Sequence, residues 1–120
     1  MLIVDDEKPL RDMLQRALLF EGFNAVVATG GAAGLDLLLH DRSIGLVLLD
    51  LNMPEVDGWA FRRRQLADRR AAAIPTIVVT GVRDAQLRTE ELQAAAYLRK
   101  PFTREQLIAA VARFVVPGSV

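Results

Sequence analysis

Leu46-Val47-Leu48-Leu49, followed at once by Asp50, is the segment on which the fold turns. It is one of four short β-type runs. The others are Leu2–Val4, Ala25–Ala28 and Thr76–Val79, each bounded by Gly, Pro or Asp, and Tyr97-Leu98-Arg99 makes a short fifth. Helical patterns fill the intervals. The clearest places Leu10, Met13, Leu14, Ala17 and Leu18 on one stripe, with Pro9 in the first turn and Gly22 just past the end, at C′. The last helix opens on a capping box, Thr103 with Gln106 three residues later, and carries Leu107, Ile108, Val111 and Phe114 on one face. The segments up to His40 and from Asp57 to Arg70 are also predicted to be helical, although Gly30, Gly31 and Gly34 weaken the first. Strand and helix alternating in this way predict an α/β fold: a doubly wound, five-stranded parallel sheet covered on both faces by about five helices.

Composition narrows the chemistry. The 120 residues suit one packed domain spanning the chain, and 52% hydrophobic residues exclude disorder. Fifteen basic and fifteen acidic side chains cancel, which removes the attraction that non-specific nucleic-acid or anionic-membrane binding relies on. Without cysteine, disulfide scaffolds, thiolate metal sites and thiol catalysis are excluded. No apolar stretch approaches the ~18–20 residues that span a bilayer, and the expected compartment is the cytoplasm. His40 is expected at a helix end on the surface, Trp59 as a partly buried helix residue and Arg62-Arg63-Arg64 as a solvated face.

The polar residues that directly follow the strands carry the functional signal. Asp5 and Asp6 follow the first run, Asp50 the third, Thr80 the fourth and Lys100 the fifth. All would lie along the carboxyl edge of the sheet, where open α/β sheets bind ligands near the point at which strand order reverses. The second run ends in Ala28-Thr29-Gly30 with nothing charged, which fits an outer strand in the order 2-1-3-4-5. Taken singly, these residues have plainer readings as helix caps, turn residues or a solvated lysine. Their coincidence at four strand ends is what points to a site. Three gathered carboxylates repel one another, each pair by about 4 kcal/mol at ~4 Å and an effective dielectric near 20. A hard divalent cation such as Mg²⁺ offsets this, and with the Lys100 ammonium and the Thr80 hydroxyl it would hold a phosphoryl group beside a carboxylate nucleophile.

The segments Leu2-Ile3-Val4-Asp5-Asp6-Glu7, Leu48 to Gly58, Val78-Val79-Thr80-Gly81 and Tyr97 to Phe102 resemble, in order and spacing, the receiver domains of two-component response regulators. The resemblance covers the whole chain and implies a flavodoxin-like fold. It also implies that Asp50 accepts a phosphoryl group from a phosphohistidine on a sensor histidine kinase or phosphotransfer protein. It makes Asp6 and Asp50 direct Mg²⁺ ligands, with Asp5 acting mainly through water and the Asn52 carbonyl completing the protein ligands. Lys100 would pair with the phosphate, Thr80 would bond it and move, and Tyr97 would be the switch aromatic, outward until Thr80 has moved. Pro101 implies a cis peptide after Lys100. A downstream effector or output domain and a phosphorylation-dependent homodimer belong to the same expectation, whether the chain is a stand-alone regulator or the receiver of a larger regulator or hybrid kinase. A small-phosphoester enzyme is disfavoured, since Asp50-Leu51-Asn52 supplies only the first member of a D-x-D motif. A phosphorylation-independent adaptor is disfavoured because the acids, hydroxyl and lysine are all present.

Two departures from the family pattern bear on output. Gln93 stands four residues before Tyr97 where the family usually has Gly, and the Thr80–Tyr97 interval is about half a helical turn short. The helix in that interval is therefore expected to start near Asp84, to be short or displaced, and to open most easily, with Gln93 either helical or at positive φ. Gly34 stands where the family often has Ala, a loss of helix propensity of about 1 kcal/mol.

Overall fold

The structure, a computed structural model, describes residues 1–51, 55–81 and 85–118, with the side chains of all but 55–57 and 85–87. Five parallel strands form one sheet in the order β2-β1-β3-β4-β5: β1 Leu2–Val4, β2 Val26–Ala28, β3 Val47–Asp50, β4 Thr76–Thr80 and β5 Ala96–Arg99. Every residue of β1, β3 and β4 is buried, whereas the outer strands β2 and β5 have exposed positions. Side chains alternate across the sheet. Ile3, Leu48, Ile77 and Val79 enter one core with Leu14, Leu18, Leu107 and Val111. Leu2, Val4, Val47 and Leu49 enter the other with Leu35, Leu38 and Phe61.

The helices are α1 Lys8–Phe20, α2 Gly31–His40, α3 Glu55–Ala67, α4 Arg69–Ala72, α5 Ala85–Glu91 and α6 Arg104–Ala112. At the end of α1, Gly22 takes φ 88°, the Phe23 amide bonds Leu18 O at 2.9 Å and the Gly22 amide bonds Leu19 O at 3.0 Å. This is the Schellman motif that a C′ glycine favours. The α6 capping box is present, with both the Thr103 and the Gln106 bonds formed.

Three expectations need correction. The helix foreseen from Asp57 to Arg70 is two helices, α3 and α4, which makes six among the described residues. Asp68 adopts an extended backbone between them and caps α4 by accepting from the Ala71 amide at 2.9 Å. Met13 is half exposed, at the margin of the α1 stripe. Arg62 is not solvated; it is 5% exposed, while Arg63 and Arg64 do face solvent. Gly58, Phe61, Arg62 and Gln65 follow an i, i+3, i+4, i+7 pattern, and all four are buried on the inner face of α3.

Gly34 has a role beyond propensity. A Cβ built there would lie 2.8 Å from Val4 Cγ2 and 3.2 Å from Phe61 Cε2, so the glycine lets α2 close onto β1. Val4 is a β-branched strand residue with no room to turn. Gly34→Ala should thus destabilise by about 1–2 kcal/mol, because overpacking outweighs the propensity gain of about 1 kcal/mol. Urea unfolding checks this: a variant more stable than the wild type would show that α2 shifts freely.

Among the described residues α5 has seven helical residues, Ala85–Glu91. Its expected start near Asp84 lies outside the described residues. Gln93 takes the positive φ, 55°.

Candidate functional site

Strand register assembles the site. Val4 pairs with Leu49, so Asp5 and Asp50 are the next residues on adjacent strands, and both are buried. Thr80 closes β4 and is fully buried. The Lys100 amide bonds Thr80 O at 2.7 Å, which carries the strand pairing one residue beyond β5. The peptide after Lys100 is cis. From this position Lys100 Nζ reaches both carboxylate oxygens of Asp50, at 3.2 and 3.3 Å. The four strand ends singled out in the sequence thus lie along one edge, and Asp5, Asp50 and Lys100 interact directly.

Asp5 is the strained member. Its Oδ1 accepts from the Glu7 amide at 2.8 Å, whereas Oδ2 is buried with no hydrogen-bond partner. Burial pushes its pKa from 3.8 up to about 7; the Asp50 carboxylate adds to the rise, and the Glu7 amide and Lys100 act against it. When ionised, Asp5 leaves an oxygen facing Asp50 with no donor to meet it.

Asp6 is exposed where the chain turns toward α1, and the expected trio of carboxylates is a buried pair with an exposed neighbour. Among the described residues no three acidic or histidine side chains gather into a metal-holding group. That does not count against magnesium, which keeps several waters and needs only one or two carboxylates. The orphaned Asp5 Oδ2 beside a second buried carboxylate fits a hard cation well. Asn52 lies outside the described residues.

Tyr97 is 43% exposed in the middle of β5, paired with Val78 two residues short of Thr80 at the site edge. Arg11, which the strand-end argument passed over, donates to Asp5 O at 3.1 Å from the first turns of α1. Its place six residues after Asp5, about one turn into the helix, was the available signal.

Comparison with known proteins agrees with this architecture. The response regulator receiver domain family matches residues 1–112. Response regulator MprA of Mycobacterium avium is 38% identical over 112 residues, covering 90% of this chain and 47% of that protein, so the chain spans about half the length of the relatives it matches. A putative response regulator from Chloroflexus aurantiacus superposes with a TM-score of 0.84 at 26% identity, over 93% of each chain. The receiver domain of sensor histidine kinase PA1611 from Pseudomonas aeruginosa shares the fold, with a TM-score of 0.80 at 19% identity over 94% of each chain; that protein has a magnesium ion coordinated in its active-site cleft. A family match over nearly the whole chain, a sheet ordered 2-1-3-4-5 and a buried Asp–Lys pair at its carboxyl edge have one common explanation: this chain belongs to the response regulator receiver domains.

Proposed function

We propose that Asp50 is the phosphoacceptor of this receiver. The observation that carries the reading is the pairing of Asp50 with Lys100 beside the orphaned oxygen of Asp5. Asp50 offers a carboxylate held by an ammonium, and its oxygen attacks phosphorus in line with the departing imidazole of a phosphohistidine. An acyl phosphate forms as the N–P bond breaks. Asp5 and Asp50, with Asp6 and the Asn52 carbonyl, would hold Mg²⁺, which supplies charge neutralisation for the phosphoryl oxygens. Lys100 neutralises the same oxygens from the other side. The Thr80 hydroxyl, at the end of the neighbouring strand, would donate to them.

Phosphorylation adds about −1.5 to −2 charge, which draws Thr80 and Lys100 inward and opens space for the outward Tyr97 ring. The donor in the cell would be a sensor histidine kinase or a phosphotransfer protein in the cytoplasm. The signal would pass to an effector or output domain, with phosphorylation-dependent homodimerisation as one form of output. The domain accepts and holds a phosphoryl group and does not turn over a metabolite.

Intact mass after incubation with acetyl phosphate tests the reading. The expected result is one added phosphoryl group in wild type with Mg²⁺, and none with chelator or in Asp50→Asn. Equal uptake by Asp50→Asn would overturn the assignment.

A further inference from the structure

Arg62 is a buried cation with no carboxylate partner among the described residues, and the phosphoryl site does not use it. Burial lowers its pKa, yet a guanidinium stays charged. Its charge is met by four neutral acceptors. Nε donates to Leu92 O at 2.7 Å and Nη2 to Gln93 O at 2.7 Å, while Nη1 donates to Gln65 Oε1 at 2.7 Å and Thr76 Oγ1 at 3.2 Å. Gln65 is itself fully buried and bonds Ala71 O and Ile74 O, each at 3.3 Å. Two side chains of α3, Arg62 and the Gln65 it bonds, thereby join the end of α4, the first residue of β4 and the turn that closes α5.

That turn is a Schellman motif built without glycine. The Ala94 amide bonds Thr89 O at 2.9 Å and the Gln93 amide bonds Glu90 O at 3.0 Å, with Gln93 at C′ and φ 55°. A left-handed conformation disfavours a residue with a Cβ, so the surroundings must hold it. The two carbonyls that Arg62 grips, Leu92 O and Gln93 O, flank this residue, at the negative end of the α5 dipole. A forked guanidinium spans both, whereas a lysine ammonium is a single point charge. The opposite end of α5, at Ala85, is the one nearer Thr80 in sequence.

We propose that Arg62 is a positioning residue, a latch that fixes the C-terminal end of α5 and the start of β5. Displacement begun at Thr80 then turns α5 about that end instead of shifting it bodily. The latch itself stands on the geometry of the resting protein. The pivoting rests on the proposed phosphorylation of Asp50, and the two parts are tested separately.

Hydrogen exchange resolved by residue, on wild type, Arg62→Lys and Arg62→Met, tests both. In the resting proteins the amides of Leu92, Gln93, Ala94 and Ala95 should exchange about tenfold faster in Arg62→Lys, relative to Leu14 and Leu18 of α1. The resonance of Tyr97, the single tyrosine, should shift with them, while uptake from acetyl phosphate keeps its wild-type rate. A uniform acceleration that follows global stability would reduce Arg62 to a packing residue and overturn the latch. On phosphorylation, wild-type amides at residues 88–91 should change and those at 92–95 should not; equal changes in both would overturn the pivot. If Arg62→Met does not fold, Arg62→Lys decides. A phosphorylation response persisting in Asp50→Asn would instead fault the acceptor assignment and leave the resting comparison intact.

Discussion

Asp5→Asn is expected to stabilise the metal-free protein by about 2–3 kcal/mol at pH 8, and to remove most of the stabilisation that Mg²⁺ gives the wild type. Loss of a buried carboxylate usually harms a protein that has paired it. Here Oδ2 has no donor, and the pKa stands at about 7 against 3.8 in the unfolded chain. Between those values the folded protein holds a proton that the unfolded chain has released. Metal-free stability relative to Asp5→Asn should therefore fall as pH rises from 4 to 7, and level off above. The gain is smaller than the full shift implies because the Asn amide is desolvated in the same place. Saturating magnesium should close most or all of that gap, adding about 2.7 kcal/mol to the wild type at a hundredfold excess over Kd. Urea midpoints across pH, with and without Mg²⁺, check both halves. A wild type more stable than Asp5→Asn at pH 8 without metal would contradict this account of the site's electrostatics.

Lys100→Met should act in the opposite direction, costing about 3 kcal/mol, because it withdraws the cation from a carboxylate that is nearly inaccessible to water. The same substitution in an Asp50→Asn background should cost less than about 1 kcal/mol, since the charge it would strand is already gone. A double-mutant cycle from urea unfolding reads the difference. Equal costs in the two backgrounds would mean that the Lys100 chain matters only for packing.

The central strands were legible because β3 and β4 are buried at every position, and uninterrupted aliphatic runs mark such strands plainly. The site was legible for a related reason. Parallel register places successive strand ends side by side, so Asp5, Asp50, Thr80 and Lys100 converge without any knowledge of side-chain packing. Arg62 was not, since an arginine between Phe61 and two further arginines has the composition of a solvated face. Only the inner-face spacing of Gly58, Phe61, Arg62 and Gln65 marks it as buried, and two of its four acceptors, Leu92 O and Gln93 O, lie 30 and 31 residues away. Asp68 caps a four-residue helix in a stretch whose neighbours favour helix on both sides, and the break appears only in its extended backbone. At Gly34 propensity gave the wrong emphasis, because the contact that matters is with Val4, on a different element.

The central claim is that the phosphoryl group resides on Asp50 and on no other carboxylate of the edge. Borohydride reduces an acyl phosphate side chain to the corresponding alcohol, so treatment of the acetyl-phosphate-modified protein converts the acceptor aspartate to homoserine. Peptide mapping by mass spectrometry should find homoserine at position 50 alone, dependent on Mg²⁺; homoserine at position 5 or 6, or at no position in a protein that has gained a phosphoryl group, would contradict the account.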